Sequence, residues 1–281
     1  MPETIALLTG ASSGIGLLAA VELARDGFRV VASMRDLARR DRLDQAAAQA
    51  GVTAQLDVRR LDVTQFDSIP GFVDSVVRDY GRLDVLVNNA GFAVAGFAED
   101  MKLQEIRLQL ETNFFGQVAM TLAVLPIMRH QASGHIIMVS SISGLHGALS
   151  ISSYAASKFA LEGWSESLRL EVNALGIKVV LVEPGSFQTD IWTRNAVLGQ
   201  KTLDGSSPNR ARGERMRDMV QKLKKRDPIA VARVIARLAR DPHPKLRYVV
   251  GTDAKVQLAL KRILPWKWHE KLIARLLKID A

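Results

Sequence analysis

The sequence contains no cysteine, which excludes disulfide bonds and any catalytic or metal-binding role of a thiol. Histidine does not take over such a role, because the spacing of the five histidines is not that of metal ligands. These residues are His130, His135, His146, His243 and His269. We therefore predict that the protein has no metal site.

Long apolar runs are also absent. No run approaches the ~20 apolar residues that a membrane-spanning helix needs. The amino terminus has no basic segment ahead of the apolar stretch Ile5–Leu8, which indicates a first strand rather than a secretion signal. We expect a cytoplasmic protein, either soluble or peripheral to a membrane.

Acidic residues are scarce in the last part of the chain. Residues 222–281 contain 16 Lys and Arg but only 5 Asp and Glu, whereas the whole chain of 281 residues has a net charge of +9. A basic tail is typical of some nucleic-acid-binding proteins. No zinc-finger, helix-turn-helix or aromatic stacking motif accompanies this tail, so we expect no nucleic-acid partner.

Short apolar runs alternate with amphipathic stretches of helical periodicity along most of the chain. This alternation predicts an α/β fold: one doubly wound (Rossmann) parallel sheet with helices on both faces. The predicted strands are Ile5–Leu8, Arg29–Ala32, either Thr53–Asp57 or Arg59–Asp62, Val85–Asn88, His135–Val139, Lys178–Val182 and Arg247–Val250. The predicted helices are Leu17–Arg25, Ser68–Tyr80, Gln104–Arg129, Tyr154–Leu175 and Ile229–Arg240. A ligand of such a sheet lies beyond the carboxyl ends of its strands.

The chain is long enough for one domain with one large core, since 48% of its residues are hydrophobic. We predict a catalytic domain over residues 1–251. Within it, residues 191–227 are polar and loop-like before a weakly helical basic piece, which is typical of a substrate lid. The extension at 252–281 mixes apolar and basic residues at helical spacing. It is suited to lie on an anionic membrane, to cover the cleft or to pack against a partner subunit.

A glycine-rich turn follows the first predicted strand, in the segment Thr9–Gly16. Its three glycines allow a sharp turn and a close approach of the backbone to phosphates. The helix that begins near Gly14 would direct N–H groups and the positive end of its dipole at the same phosphates. We predict a dinucleotide site here, with a plain strand–turn–helix connection as the alternative. The candidate contacts are Gly10, Ser12, Ser13, Gly14, Ile15 and Gly16.

The end of the second strand indicates which dinucleotide binds. Met34 stands roughly where an NAD site carries an acidic residue for the ribose hydroxyl, and Arg35 follows it. An arginine is suited to a 2′-phosphate. We therefore predict NADP(H), with Arg35 and Ser12 as phosphate contacts. NAD(H) is the alternative because Asp36 is adjacent. At the end of the next strand, Asp62 and Val63 are expected to frame the adenine.

Tyr154 and Lys158 stand one helical turn apart, and Ser141 lies thirteen residues before Tyr154. Reduction of a carbonyl needs a proton donor at the forming alkoxide. Tyr154 can act as that acid if the ammonium of Lys158 and the positive charge of the oxidised nicotinamide lower the pKa of its phenol. Ser141, or its neighbour Ser140, would donate a hydrogen bond to the substrate oxygen, and the thirteen-residue offset favours Ser141. An ordinary helix pair is the alternative for the tyrosine and lysine.

Together these motifs resemble those of the short-chain dehydrogenase/reductase family, from about Ile5 to Gly251. The resemblance implies that Asn113 braces a water next to the lysine and completes a proton relay, whereas capping of a helix or bonding within one is the alternative role for this residue. It also implies two further groups of cofactor contacts. Asn89, Ala90 and Gly91 would lie near the adenosine ribose, and Pro184, Gly185 and Thr189 would contact the nicotinamide. Tyr154 and Lys158 would also contact the cofactor.

Three segments, 33–37, 157–163 and 244–248, resemble the branch that contains 17β-hydroxysteroid and retinol dehydrogenases. This implies an NADP(H)-dependent enzyme that interconverts a lipophilic alcohol and its ketone or aldehyde. No steroid-orienting His or Glu can be matched in the carboxy-terminal part. Candidate pocket residues are Phe92, Ala93, His146, Ala148, Phe187 and Trp192. The family also implies a homo-oligomer, a dimer or tetramer, formed through the helices predicted at 104–129 and 154–175.

Two other functions fit the same motifs. A 3-oxoacyl thioester reductase would use the same four catalytic residues, Asn113, Ser141, Tyr154 and Lys158. A dinucleotide-sensing or scaffold protein would keep the fold without turnover, although a sensor does not need a proton relay. Substrate preference distinguishes the first alternative, and cofactor binding without turnover distinguishes the second.

Overall fold

The structure is a computed structural model that describes residues 3–192, 196–203, 205–222 and 225–277. Seven parallel strands form the central sheet, in the order β3-β2-β1-β4-β6-β7-β9. These strands are β1 (Ile5–Thr9), β2 (Arg29–Met34), β3 (Leu56–Arg60), β4 (Val85–Asn88), β6 (Gly134–Val139), β7 (Ile177–Pro184) and β9 (Arg247–Val250). A second, two-stranded sheet pairs β5 (Ala93–Ala95) with β8 (Ala196–Leu198).

Helices cover both faces of the central sheet. The α-helices of the described residues are α1 (Gly14–Arg25), α2 (Asp41–Ala50), α3 (Ile69–Tyr80), α4 (Leu103–Leu110), α5 (Gly116–Gln131), α6 (Ser152–Val172), α7 (Gln200–Leu203), α8 (Arg210–Lys222), α9 (Ile229–Leu238), α10 (Thr252–Ile263) and α11 (Trp266–Leu277). One apolar core lies between the sheet and α1, α2 and α9. The other lies between the sheet and α3, α5 and α6. Strand β1 is buried at every position and is apolar except at Thr9, because both of its faces are covered.

The predicted fold class is confirmed, and the predicted strands coincide with six observed ones to within two residues at each end. The third strand is the exception, because β3 lies between the two alternatives that the sequence offered. Helix α2 was not predicted. Only Leu43 and Ala47 of this helix are buried, so its apolar stripe is too thin for periodicity to reveal.

The helix predicted at 104–129 is divided into α4 and α5 by a π-helical segment, Glu111–Phe115. Such π-helical turns widen a helix locally and occur often at functional sites. Asn113 lies in the middle of this one. Hydrophobic periodicity does not show the interruption, since apolar residues continue through it.

The segment predicted as a loop-like lid, residues 191–227, contains β8, α7 and α8. The extension forms two helices rather than one, because Pro265 forces the residue before it out of the helical conformation: Leu264 is extended, with ψ 128°. Asp253 in α10 accepts a hydrogen bond from Ser186 N at 2.7 Å, which ties the extension to the loop after β7. The division into 1–251 and 252–281 stays a prediction. Of the described helices, none has the length and apolar content needed to cross a bilayer.

Candidate active site

The turn after β1 can only be built with glycine. Gly10 and Gly14 adopt φ angles of 77° and 58°, in the left-handed region that other residues rarely adopt. A Cβ atom on Gly16 would lie 2.2 Å from the carbonyl oxygen of Gly10. The glycines therefore let the start of α1 pack directly against the end of β1.

The loop after β4 is joined to this turn by hydrogen bonds. The Asn89 side-chain amide donates to the carbonyl oxygens of Thr9 and Gly10, at 2.9 and 3.1 Å. The hydroxyl of Thr9 accepts from the backbone N–H groups of Asn89 and Ala90. Strands β1 and β4 are neighbours at the point where the strand order reverses, which is where ligands bind in open α/β sheets.

A cleft of about 1180 Å³ runs along this edge of the sheet. Every residue that the sequence predicts to contact the cofactor lines it. These are Gly10, Ser12, Ser13, Gly14, Ile15, Gly16, Arg35, Asp62, Val63, Asn89, Ala90, Gly91, Tyr154, Lys158, Pro184, Gly185 and Thr189. Ser141 also lines the cleft, and Asn113 does not. The structure thus gathers these residues in one place, while their contacts with a cofactor stay predictions.

The end of β2 provides two arginines. Arg35 is exposed and lines the cleft, as does Arg39, which sequence reasoning missed. In the sequence, Arg39 could have been recognised as a second basic residue one helical turn after Arg35. The carboxylate of Asp36 accepts a hydrogen bond from Ala38 N at 3.0 Å and lies 3.7 Å from Arg39. Asp36 therefore caps the short helical turn that follows it.

The predicted reacting residues meet where β6 ends against α6. Tyr154, Lys158 and Ser141 are all buried. The Lys158 ammonium lies 5.8 Å from the centre of the Tyr154 ring and donates to the carbonyl oxygen of Val139 at 2.8 Å. The side chains of Ser141 and Tyr154 are hydrogen-bonded to each other. Ser140 lies against Glu162 instead, so Ser141 is the serine placed at the phenol.

Burial controls the acidity of both groups. It raises the pKa of Tyr154 to about 12, and the hydrogen bond with Ser141 opposes that shift. Burial lowers the pKa of Lys158 to about 8, and the charge of Glu162 opposes that shift. The direction for Tyr154 is opposite to the one expected from the sequence, because removal of the phenolate from water outweighs other influences.

Asn113 does not cap a helix. Its side-chain oxygen accepts from Phe92 N at 3.1 Å, and its amide nitrogen donates to Phe92 O and to Ser157 Oγ, at 3.0 and 3.3 Å. These bonds join the loop after β4 to the residue that precedes Lys158. The π-helical segment presents Asn113 to both partners. Its predicted part in a proton relay stays a prediction.

The other part of the cleft has an apolar wall, and the lid adds the charged residues Arg210, Glu214, Arg217 and Lys225. Of the predicted pocket residues, Phe92, Ala148 and Phe187 line it, whereas Ala93 is buried in β5. His146 is not among the lining residues and packs edge-on against His269, with ring centres 4.8 Å apart. The side chain of Trp192 lies outside the described residues. Further apolar lining residues, which sequence reasoning missed, are Ala95, Phe97, Leu108, Leu149, Ile191, Val197, Leu198 and Met216.

The lid is fixed to the wall of the cleft by buried polar contacts. Asp100, which is 1% exposed, accepts a hydrogen bond from Ser207 Oγ at 2.7 Å. Beside it, Asn209 donates to Glu99 at 2.6 Å. Together with the β5–β8 pairing, these bonds place the apolar side chains of Val197 and Leu198 over the cleft.

Comparisons with known proteins agree with this geometry. Residues 4–197 match the short chain dehydrogenase family, and the chain belongs to that family. The uncharacterized oxidoreductase YusZ of Bacillus subtilis is 41% identical over 278 residues, which cover 98% of this chain and 99% of the relative. Retinol dehydrogenase 8 of Bos taurus is 37% identical over 277 residues, or 94% of this chain and 86% of the relative. A solved short-chain dehydrogenase from Streptomyces avermitilis has a TM-score of 0.82 at 32% identity, covering 98% of both chains.

The predicted family and enzyme class are therefore confirmed: the protein is an oxidoreductase that acts on CH–OH groups with a nicotinamide dinucleotide. A metagenomic short-chain oxidoreductase solved in complex with NADP has a TM-score of 0.70 at 26% identity, covering 89% of this chain and 97% of that one. The cleft fits the pyrophosphate of such a cofactor, because its wall is bare backbone at Gly10, Gly14 and Gly16.

Proposed function

We propose that the protein is an NADP(H)-dependent oxidoreductase that interconverts a lipophilic alcohol, of steroid or retinoid size, and its ketone or aldehyde. The observation that carries this proposal is the position of Tyr154, Lys158 and Ser141. These buried side chains lie in the same cleft as the glycine turn and the apolar lining.

The bound nicotinamide would supply or accept a hydride. Tyr154 would give its phenolic proton to the oxygen of a ketone as that oxygen becomes an alkoxide, and would take it back in the oxidation direction. Ser141 is hydrogen-bonded to the phenol, so its hydroxyl is close enough to bind the same oxygen. Lys158 would hold the cofactor ribose and favour the phenolate by its charge.

The arginines at the end of β2 support a preference for NADP(H). Arg35 and Arg39 both line the cleft, and guanidinium groups bind phosphates with two parallel hydrogen bonds. In a site selective for NAD(H), a carboxylate would accept from the ribose hydroxyls. Asp36, the acidic residue nearest to this position, accepts from the backbone of Ala38.

The lining of the cleft supports a lipophilic substrate. The segment after β5, the loop after β6 and strand β8 contribute aliphatic and aromatic side chains to the cleft, whereas α8 contributes the charged side chains of Arg210, Glu214 and Arg217. Apolar walls with a few polar groups are typical of sites for apolar ligands. The similarity to retinol dehydrogenase 8 agrees with this substrate class.

The experiment that tests the proposal follows NADPH and NADH oxidation with a panel of steroid ketones, retinal, long-chain aldehydes and acetoacetyl thioesters. We expect turnover of a bulky lipophilic carbonyl, faster with NADPH. A preference for thioesters would assign the protein to the 3-oxoacyl thioester reductases instead. Cofactor binding without turnover of any substrate would favour a dinucleotide sensor.

We also propose that the protein forms a homo-oligomer through α5 and α6. Leu122 in α5 and Leu170 in α6 are 57% and 82% exposed, which is unusual for leucines on the helices of a folded core. A second copy that packed on these helices would remove both from water. Light scattering would measure the mass, and replacing both leucines by Glu should reduce it to that of one chain. A single-chain mass for the unmodified protein would contradict the proposal.

Contact between α10 and an anionic membrane is a further proposal. Val256, Leu260 and Ile263 are exposed and follow one another at helical spacing, so that they lie along one side of α10. The basic residues Lys255 and Arg262 flank them. Such a helix suits the interface of an anionic bilayer. Sedimentation with phosphatidylglycerol vesicles but not phosphatidylcholine vesicles is expected, and Ile263→Glu should weaken it. Equal sedimentation of this variant and the unmodified protein would contradict the assignment.

A further inference from the structure

A buried cluster of acidic residues lies directly behind the reacting residues. Glu183 in β7 is fully buried and Glu162 in α6 is 4% exposed. Both approach Nε of Arg247, with Glu162 Oε2 at 3.2 Å and Glu183 Oε1 at 3.4 Å. Glu166, one turn further along α6, lies 3.0 Å from Nη2 of the same arginine. One guanidinium therefore faces three carboxyl groups.

This cluster is in contact with the backbone and side chains that shape the reacting site. A Cβ atom on Gly144 would lie 2.8 Å from Ser140 Oγ, 2.9 Å from Glu162 Cγ and 3.1 Å from Lys158 O. Ser140, Glu162 and the backbone of Lys158 thus meet at one point. Glu162 also stands one helical turn after Lys158 on α6, where its charge supports the lysine ammonium.

The two buried carboxyl groups cannot both be ionised without a large cost. Like charges in contact disfavour each other, and burial disfavours both. Burial, and to a smaller extent the charge of Glu162, raises the pKa of Glu183 to about 8. Burial also raises the pKa of Glu162. Arg247 makes the shorter contact with Glu162. Neither oxygen of Glu183 makes a hydrogen bond of standard geometry among the described residues, whereas one oxygen of Glu162 does.

We propose that Glu162 and Glu183 share one proton at neutral pH, with the charge on Glu162 and the proton on Glu183, and that this pair positions Lys158 and the end of β6. Both are positioning residues, because they act through Lys158 and Ser140 rather than on substrate. The inference rests on the proposed function, in which Lys158 must be charged to favour the Tyr154 phenolate. The charged and titratable groups that face the pair are Lys158 and Glu166 on α6 and Arg247 on β9.

The kinetic test compares Glu162→Gln, Glu183→Gln and Glu166→Gln in the oxidation direction, where Tyr154 acts as a base. Loss of the Glu162 charge makes Lys158 easier to deprotonate, so the ammonium that supports the phenolate is lost at lower pH. We expect the upper pH limb of kcat/KM to fall by roughly one unit in Glu162→Gln. Glu183→Gln replaces the protonated carboxyl group by an uncharged amide. Below about pH 8 we therefore expect its pH profile to match that of the unmodified protein. Glu166→Gln is the control. It removes a contact of Arg247 at the surface and should not shift the pH profile of kcat/KM.

An infrared test needs neither substrate nor turnover, so it separates this inference from the proposed function. We expect the folded protein at neutral pH to show the carbonyl stretch of a protonated carboxyl group, and Glu183→Gln to lack it. The infrared comparison of the unmodified protein with Glu183→Gln tests the inference even if Glu162→Gln does not fold. The inference is wrong if the band is absent from the unmodified protein or persists in Glu183→Gln. It is also wrong if Glu162→Gln and Glu166→Gln have the same pH profile.

Discussion

The side-chain amide of Asn89 donates to the carbonyl oxygen of Gly10 at 3.1 Å, and so closes the glycine turn from the side of β4. A Cβ atom on Gly16 would lie 2.3 Å from that amide nitrogen. Gly16→Ala must therefore break this bond or displace the start of α1. We expect cofactor affinity to fall at least tenfold and the protein to lose about 1–3 kcal/mol of stability.

The matched control is Gly71→Ala in α3. A Cβ atom there would have no neighbour within 4 Å, and alanine is the better helix former. We expect cofactor affinity to be unchanged and stability to stay the same or increase slightly. Isothermal titration with NADPH and thermal unfolding measure both quantities. Unaltered NADPH binding by Gly16→Ala would show that the turn does not hold the dinucleotide.

Tyr154→Phe tests the proton donor. The substitution keeps the buried ring and removes only the hydroxyl, so the fold and the cofactor site should be preserved. We expect kcat/KM to fall by about 10²- to 10⁴-fold, the usual contribution of a positioned general acid. NADPH affinity should change little. If this variant kept full activity on an accepted substrate, Tyr154 would not be the acid and the proposed mechanism would be wrong.

Arg35→Ala tests the choice of dinucleotide. Loss of a hydrogen bond between charged groups costs about 1.5–3 kcal/mol, so we expect NADPH affinity to fall by roughly 10- to 100-fold and NADH affinity to stay nearly constant. Arg40→Ala is the control, because Arg40 is a neighbouring exposed arginine that pairs with Asp44 at 2.7 Å. Equal losses of NADPH and NADH affinity in Arg35→Ala would contradict the assignment to a 2′-phosphate.

Much of the fold could be predicted from the sequence because the buried strands leave a strong local signal. The strand β4 was predicted with its observed ends, since its apolar run is bounded by Asp84 and Asn88. The reacting residues could be placed together for the same reason: each follows a strand end or lies at helical spacing. The resemblance to a known family supplied roles for residues such as Asn113.

Long-range contacts could not be predicted in this way. The carboxyl cluster joins Glu162 in α6 and Glu183 in β7 to Arg247 in the distant strand β9, and no local pattern marks these residues. The pairing of β5 with β8 is equally non-local, since two three-residue strands are too short for periodicity to detect. The effect of burial on the pKa of Tyr154 could not be predicted either, because its spacing from Lys158 does not reveal how deeply the phenol is buried.

Glu183 also predicts how stability depends on pH. Its pKa is raised in the folded state to about 8, above the ordinary range of a glutamate, so the folded protein keeps a proton that the unfolded chain releases. The resulting stabilisation is complete below the ordinary pKa of a glutamate and is lost as the pH rises through about 8. Glu183→Gln cannot lose a proton. We therefore expect its free energy of unfolding, measured with urea, to rise relative to that of the unmodified protein between about pH 5 and pH 9.

The control for this measurement is Glu166→Gln, whose side chain is 57% exposed. An exposed carboxylate is well solvated in both states, so the curve of this variant should run parallel to that of the unmodified protein. Lys158 titrates near the same pH in all three proteins, with its pKa lowered by burial to about 8, and its effect cancels when the curves are subtracted. Parallel curves for Glu183→Gln and the unmodified protein would mean that Glu183 holds no proton in the folded state at neutral pH, and the assignment of the shared proton to Glu183 would be wrong.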